Sequence, residues 1–304
     1  MKLVFDKALA FVLLLVVLTT VAIGLQSMRG GSAALATAGQ RASQQELQKL
    51  RKELGEDKNF ALQWLGKIKQ IATFNFGKTV KGQPVFKLVW QAFKYTFILA
   101  ALASLFALFY AIVLSTIGQM YDSVGRVLHN INYFLLANPV FIIALLLIWV
   151  FAIGLDMLPP GGTILSGWYI LPALALGLKA AARLSIFIDE FMAAEKKKPY
   201  VLTLHAYGFS KQKIYGYYVF KNLALPILSF WLIDFASYLA GAAIIETIHS
   251  IPGIGSLLLK ALFSYDLNLI VGILAFVSIF IFFIGIVQEV IDHHAKRYST
   301  SNQA

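Results

Sequence analysis

One stretch of the sequence is similar to a phosphate-binding loop. Residues 72–79 read Ala-Thr-Phe-Asn-Phe-Gly-Lys-Thr, a relaxed P-loop pattern with Ala in place of the first Gly. A P-loop follows a buried strand and opens a helix, so that its backbone N–H groups hold phosphate. Here a polar, amphipathic stretch comes first. We therefore interpret the pattern as a chance match and expect no ATP binding by this chain.

Other side chains that could do chemistry are few. The chain has no Cys, which excludes disulfides, thiolate metal sites and cysteine nucleophiles. His293 and His294 have no further ligands nearby, so we interpret them as a solvated end and predict no metal site. Asp234 interrupts an apolar run, where a carboxylate faces a cavity or a buried partner. We predict either a cavity, where the carboxylate could contact a substrate, or a buried partner such as a neighbouring Tyr or Ser. No residue is predicted to be catalytic.

The composition places the chain in a membrane. It is 59% hydrophobic and 13% charged, with a mean hydropathy of +0.74. Soluble domains are about 45–50% apolar and about 25% charged. The net charge of +11 could indicate a nucleic-acid partner. The basic residues lie between apolar runs, however, where membrane orientation explains them, so no nucleic acid is expected.

Six apolar runs have the length of membrane-spanning helices, which need about 20 residues. They cover residues 8–25, 95–121, 130–155, 157–178, 222–245 and 267–288. The first run could be a signal peptide, because Lys2 and Lys7 precede it. It is longer than a typical signal core and lacks a good cleavage site, so a retained anchor is the preferred interpretation.

The distribution of Lys and Arg predicts the orientation. The connection 156–168 has neither residue, and the connection 246–266 has only Lys260, whereas the alternate side is basic. Both termini are therefore predicted to be cytoplasmic. Residues 28–88 are predicted to lie outside and to form amphipathic helices, at 43–55 and 64–71, which either pack on the membrane or dock a receptor.

The longest predicted cytoplasmic segment covers residues 189–225. Its pattern indicates a helix that stops at Gly208 and a second helix that begins after Ser210, a suitable N-cap. Four aromatic residues follow, more than a solvated loop needs: Tyr215, Tyr217, Tyr218 and Phe220. Such a surface predicts a protein partner.

This segment resembles the coupling loop, or EAA motif, of ATP-binding cassette (ABC) importer permeases, in the form of the dipeptide, oligopeptide and nickel subfamily. The matching residues are Tyr200, Val201, Thr203, Ala206, Gly208, Asn222, Ala224, Leu225 and Pro226. His205 and Tyr207 depart from the pattern, which usually has a basic residue and Lys there. The resemblance implies ATPase contacts at Tyr200, Thr203, His205, Ala206, Tyr207, Gly208, Phe209 and Ser210.

The resemblance extends over about residues 45–292. Residues 246–255 are similar to the pattern E-T-x-F-S-x-P-G-x-G of this family, and Asp266 matches an Asp that follows. A Gly-Asp-Pro element that often follows the first helix is replaced by Arg29-Gly30-Gly31. The resemblance implies that the receptor side of the protein includes Glu246, Pro252, Gly253, Gly255 and Asp266.

The implied fold is an all-α membrane protein with six transmembrane helices, the type I ABC importer permease fold. Its parts are the first transmembrane helix (1–27), the extracytoplasmic segment (28–88), a five-helix core (89–292) that contains the coupling loop 189–225, and a cytoplasmic tail (293–304). The implied location is the bacterial cytoplasmic membrane. The implied partners are a second homologous permease, two ABC ATPase subunits that hold ATP and Mg²⁺, an extracytoplasmic substrate-binding lipoprotein and membrane lipid, with no cofactor on this chain.

The resemblance favours short peptides as the substrate, and nickel or a metal chelate is the alternative. Two other classes of protein also fit the composition. A gradient-driven secondary transporter usually shows inverted repeats and a midplane ion site. The sequence shows no internal repeat, and Asp234 is the one residue it offers as a proton carrier. A membrane scaffold that uses the loop only for docking is the third interpretation.

Overall fold

The computed structural model describes residues 60–73, 75–163 and 167–301, together with isolated positions before residue 60. The chain divides into two compact units, Met1–Thr96 with Pro252–Phe283 and Phe97–Ile251 with Ile284–Ala304. Regular structure in the described residues is helical, and the β-contact among them is an isolated bridge between Lys78 and Pro84.

The helices follow one another with short connections. In chain order they are α1 (Phe60–Ala72), α2 (Val85–Met120), α3 (Asp122–Ala137), α4 (Val140–Leu147) with the π-helical turn Ile148–Gly154, α5 (Ile170–Glu195), α6 (Pro199–Ala206), α7 (Lys211–Lys213) with the π-helical turn Ile214–Val219, α8 (Phe220–Gly241), α9 (Ala243–Ile248), α10 (Ile254–Phe263) and α11 (Leu267–Ser301).

Several of these helices are long and apolar enough to cross a membrane. Four qualify among the described residues: Val85–Met120, Ile170–Glu195, Lys211–Leu239 and Leu267–His293. A bent pair, Ser123–Ala137 with Val140–Gly154, gives a fifth if it is one span. The chain is therefore a multi-pass membrane protein, as predicted. The predicted first span at 8–25 and the predicted helix at 43–55 lie largely outside the described residues.

The predicted span at 130–155 is not one straight helix. Two helices meet there at an angle of 108°. The break falls at Asn138, whose backbone is extended (φ −92°, ψ 139°) because Pro139 follows it. A count of hydrophobic residues does not detect this break, because the sequence is apolar on both sides of it.

The predicted span at 157–178 is displaced by more than half its length. The helix begins at Ile170 and continues to Glu195, and residues 155–163 form an irregular loop. In that loop the Gly162 N–H donates to the carbonyl of His249 (2.7 Å). A Cβ at Gly161 would lie 2.2 Å from the same oxygen, so this close approach requires glycine. The pairing with residue 249 positions the loop.

His249 is buried beside this loop. Its Nδ1 contacts the carbonyl oxygen of Pro160. Burial lowers the pKa of His249, and the Pro160 contact only partly opposes that effect. The imidazole is therefore neutral near pH 7, in keeping with a position where the family pattern has an apolar Phe.

In the unit Met1–Thr96 with Pro252–Phe283, aromatic rings pack between α2 and α11. The ring of Phe93 lies 5.1 Å from that of Phe276 and 4.3 Å from that of Phe280, centre to centre. Aromatic pairs at such distances stabilise packing beyond their buried area. Gly272 lies against Val85 and Phe76, where a side chain would not fit.

In the unit Phe97–Ile251 with Ile284–Ala304, α5 is the central helix. It contacts α3, α4, α8 and α9. A Cβ at Gly177 of α5 would lie 2.7 Å from the backbone oxygen of Ala103 on α2 and 2.8 Å from the ring of Phe106. Small residues at membrane helix contacts allow this kind of backbone approach.

Gly177→Ala is therefore expected to destabilise the protein by about 1–3 kcal/mol, because the added methyl group overpacks the α2–α5 contact. Thermal unfolding of the purified chain in detergent measures the effect. Gly216→Ala is the matched control, since no described residue outside its own helical turn comes within 4 Å of a Cβ at Gly216. Equal unfolding temperatures for the two variants would contradict the packing argument.

Candidate functional site

The P-loop-like segment forms a tight turn before α2. Its N–H groups are bonded within the chain: that of Thr79 to the carbonyl of Gln83 (2.8 Å), and that of Val80 to the carboxylate of Asp266 (2.8 Å). The helix begins only at Val85. In a phosphate loop these N–H groups point at the ligand and the helix follows at once. The geometry of this turn is different.

Residues 199–226, here called the 199–226 segment, form a helix, a turn and a second helix, as the sequence predicts. Helix α6 begins with Pro199 in its first turn, a position that suits proline. Gly208 has φ +76°, the left-handed conformation that ends a helix. Ser210 then caps α7, and its hydroxyl accepts from the N–H of Lys213 (3.4 Å).

The buried side of the 199–226 segment packs on α5. The buried side chains are Leu184, Ile188 and Met192 of α5, and Val201, Ile214, Tyr215, Val219 and Leu223 of the segment. This cluster belongs to a single unit of the chain. Because apolar contacts run along both partners, the segment is fixed to the end of α5 rather than held only by its two connections.

A buried carboxylate supplies a polar anchor at the same place. Oε1 of Glu195 accepts from the Tyr200 hydroxyl (2.9 Å) and from Nδ2 of Asn222 (3.0 Å). Oε2 of Glu195 pairs with Nζ of Lys198 (2.6 Å). Thus the last turn of α5 is bonded to both helices of the 199–226 segment.

The charge of Glu195 also acts on Tyr200. Burial and the adjacent Glu195 carboxylate raise the pKa of Tyr200. The hydroxyl is therefore protonated near pH 7 and donates to Glu195. Sequence analysis missed Glu195, although an acidic residue in the last turn of an apolar helix was a signal that could have identified it.

The other side of the 199–226 segment is exposed. Tyr207 is 77% exposed and Leu202 is 63% exposed. His205, Ala206 and Gly208 are also exposed, so the tip of the segment presents an aromatic and apolar surface. Phe209 is half-buried and lies under Nζ of Lys213, 4.6 Å from the ring centre.

One part of the predicted aromatic surface is wrong. Tyr215 lies in the buried cluster and is not available to a partner, whereas Tyr217 is exposed. Tyr218 and Phe220 are half-buried. The π-helical turn Ile214–Val219 explains the difference, because it changes which residues share a face of the helix.

Asp234 is paired with a cation. Its Oδ1 accepts from a guanidinium nitrogen of Arg183 on α5 at 2.6 Å. The expected partner was a neighbouring Tyr or Ser, and that identification is wrong. The two residues are 51 positions apart, so the pair arises only from the packing of α5 against α8.

The predicted receptor-side residues are mostly buried. Glu246 at α9 is fully buried, and Gly253 and Gly255 are buried near the start of α10. Asp266 caps α11, since its Oδ1 accepts from the N–H of Leu269 (3.0 Å). Only Pro252 among the five is exposed. Their geometry supports loop organisation rather than direct contact.

Comparisons with known proteins identify the class. Residues 112–297 match the family described as the inner membrane component of binding-protein-dependent transport systems. Because the match covers more than half of the chain, the chain belongs to this family. The resemblance to permeases of ABC peptide importers is thereby confirmed.

Several curated relatives align with most of the chain. A probable peptide ABC transporter permease of Sinorhizobium fredii is 28% identical over 82% of this chain and 83% of its own length. A dipeptide transport system permease protein of Alkalihalophilus pseudofirmus is 24% identical over 95% of this chain and 98% of its own length. A metal-staphylopine import system permease protein of Staphylococcus aureus is 26% identical over 72% of this chain and 71% of its own length.

Proposed function

We propose that this chain is one of two permease subunits of an ATP-driven importer of short peptides, and that its 199–226 segment receives an ATPase subunit. The observation that carries this proposal is the exposed tip of the segment around Tyr207, on a base bonded to α5 through Glu195. A base fixed to α5 and an exposed, apolar tip suit a segment that binds another protein and transmits its movement to α5.

The topology of the proposal has six spans, with residues 28–88 outside and both termini in the cytoplasm. The 199–226 segment then lies on the side where ATP is available. The segment 156–168 and the segment 246–266 lie on the receptor side. The family membership and the apolar helices support this arrangement.

The mechanism needs no chemistry on this chain. ATP and Mg²⁺ on the partner ATPases would supply the energy by closing the ATPase pair. Movement of the 199–226 segment would pull on the end of α5 through the apolar cluster and Glu195. Because a ligand shifts an equilibrium only through a difference in interaction between two states, the segment must contact the ATPase differently in each state.

Photo-crosslinking tests the docking assignment. A photoreactive amino acid at position 207 is expected to crosslink this chain to the ATPase in membranes of cells that express the whole importer. Phe263 of α10 is the matched control, because it is 82% exposed but lies on the proposed receptor side. Crosslinking to the ATPase from position 263 and not from position 207 would refute the assignment.

Peptides are favoured as the substrate over metal chelates. Two of the relatives above are named as peptide or dipeptide permeases and one as a metal-staphylopine permease. Calorimetric titration of the cognate binding protein separates the two classes. Binding of di- to oligopeptides supports the proposal, whereas binding of nickel or a metal chelate without peptide binding supports the alternative.

Asp234→Asn separates the importer from a gradient-driven carrier. We expect reduced but measurable uptake, because the amide oxygen can still accept from Arg183 while the titratable carboxylate is lost. Uptake of labelled peptide into membrane vesicles measures this result. A carrier that moves protons through Asp234 would lose uptake altogether, and that outcome would contradict the proposal.

A further inference from the structure

Three of the charged side chains of α5 lie on one face of a membrane span. Lys179, Arg183 and Glu190 are separated by four and seven residues, which places them on one side of a helix. Helix α5 is a candidate span over Ile170–Glu195, and Arg183 is near its middle. A charge at that depth is too costly to face hydrocarbon, so it faces protein or a water-filled cavity.

From Ile170 to Asp189 the exposure of α5 is confined to this face, whereas near its end Phe191, Ala193 and Ala194 are exposed as well. Arg183 is the one exposed residue from Ile170 to Asp189, a stretch that the structure describes throughout. Its side chain is 45% exposed, although its partner Asp234 is only 8% exposed. The guanidinium group has five N–H donors, and the short contact to Oδ1 of Asp234 leaves others directed elsewhere.

The exposed residues in the middle of α2, another span, differ in character, although Lys87 and Lys94 near its start are exposed too. Leu105 is 56% exposed and Phe109 is 70% exposed. Apolar residues of that kind suit contact with lipid, whereas the exposed face of α5 suits contact with water. The middle of α2 is therefore suited to apolar surroundings and the Lys179–Arg183–Glu190 face of α5 to polar ones.

A polar group beside the ion pair supports the same conclusion. Tyr238 lies one turn after Asp234 on α8, and its hydroxyl is buried without a hydrogen-bond partner among the described residues. A buried hydroxyl without a partner is rare unless a water or a ligand group satisfies it. The surroundings of Arg183 therefore contain a hydrogen-bonding group that the ion pair does not use.

We propose that the Lys179–Arg183–Glu190 face of α5 lines the water-filled translocation pathway, and that Arg183 receives the C-terminal carboxylate of the passing peptide. Arg pairs well with carboxylates because its planar group offers parallel N–H donors. Asp234 holds the guanidinium in place and partly neutralises it, so that the substrate carboxylate is bound and released rather than retained. This inference rests on the proposed function.

Cysteine labelling tests the first part. The chain has no Cys, so a single introduced thiol is the one target on this chain. We expect Arg183→Cys and Lys179→Cys to react with a membrane-impermeant cationic methanethiosulfonate reagent in vesicles that carry the whole importer. Leu105→Cys, on an exposed but apolar position, is the matched control and is expected to react at least about tenfold more slowly, because the reactive thiolate needs water.

Copurification of the second permease checks that each variant assembles. Arg183→Cys is also combined with Asp234→Asn, because Arg183→Cys alone would leave the buried carboxylate of Asp234 without its partner. Labelling of both α5 positions as slow as that of Leu105→Cys would overturn the inference, and would indicate that the face is covered by the partner permease. Failure of the proposed function has a different signature, namely no peptide uptake by the wild type whatever the labelling shows.

Charge restoration tests the second part. After labelling of Arg183→Cys, the importer with the cationic adduct is expected to transport a peptide with a free C-terminus faster than the importer with an anionic sulfonate adduct. The difference should be at least about tenfold, the size of effect expected for a charge-assisted hydrogen bond. The same peptide with an amidated C-terminus, supplied on saturated binding protein, should show no such difference. Equal rates for both adducts with the free peptide would overturn the role of Arg183 in carboxylate recognition.

Discussion

Glu195→Ala is expected to lower ATP-driven uptake by about a hundredfold or more. The substitution leaves the Tyr200 hydroxyl, Nδ2 of Asn222 and Nζ of Lys198 without their shared acceptor. Hydrogen bonds to a charged group typically contribute about 1.5–3 kcal/mol each, and the bond from Asn222 to the Tyr200 hydroxyl (3.2 Å) is the one that remains among these groups. The 199–226 segment would then pull on α5 only through the apolar cluster. Transport per ATP hydrolysed, measured in proteoliposomes, should therefore fall more than the ATPase rate.

Glu195→Gln is the graded control. It keeps one oxygen that can accept from Tyr200 or Asn222 but loses the ion pair with Lys198, so an intermediate loss is expected. Lys197→Ala changes an exposed neighbour and should have little effect. If Glu195→Ala transported as well as Lys197→Ala, the anchoring role of Glu195 would be wrong.

Gly208→Asp is expected to abolish productive docking of the ATPase while leaving membrane insertion intact. No atom lies within 4 Å of a Cβ at Gly208, so the chain can accept a side chain there. Its φ of +76° adds strain of about 1–2 kcal/mol for most residues. The larger effect is the new carboxylate at the tip beside the exposed Tyr207, which changes the charge of the surface proposed to contact the ATPase.

The measurement is copurification of the ATPase with the permease pair, together with peptide uptake. Gly208→Asn is the matched control, because Asn is of similar size, tolerates the left-handed conformation and carries no charge. We expect the Asn variant to keep most of the activity and the Asp variant to lose it. Normal uptake by Gly208→Asp would mean that the tip does not contact the ATPase.

Local signals explain what the sequence predicts correctly. Gly208 and Ser210 specify the turn through their own backbone preferences, so the helix–turn–helix of the 199–226 segment can be predicted without knowledge of the rest of the fold. Asn138-Pro139 was an equally local signal for the break between α3 and α4. The apolar run that surrounds it outweighed this signal in a count of hydrophobic residues.

Contacts between distant residues explain what the sequence does not predict. The Arg183–Asp234 pair depends on how α5 packs against α8, and a charged residue in a span does not reveal which helix supplies its partner. The burial of Tyr215 depends on a π-helical turn that alters the face of the helix, and no simple periodicity anticipates it. The displaced start of α5 follows from the contact of Gly161 and Gly162 with His249, which lies far along the chain.

Peptide uptake into proteoliposomes tests the proposed function most directly. The vesicles contain this chain, the second permease and both ATPase subunits, and the binding protein with a labelled peptide is added on the receptor side. We expect uptake that requires ATP on the side of the 199–226 segment and that is lost in Gly208→Asp. Uptake driven by a proton gradient in vesicles that lack the ATPase subunits would contradict the proposed function.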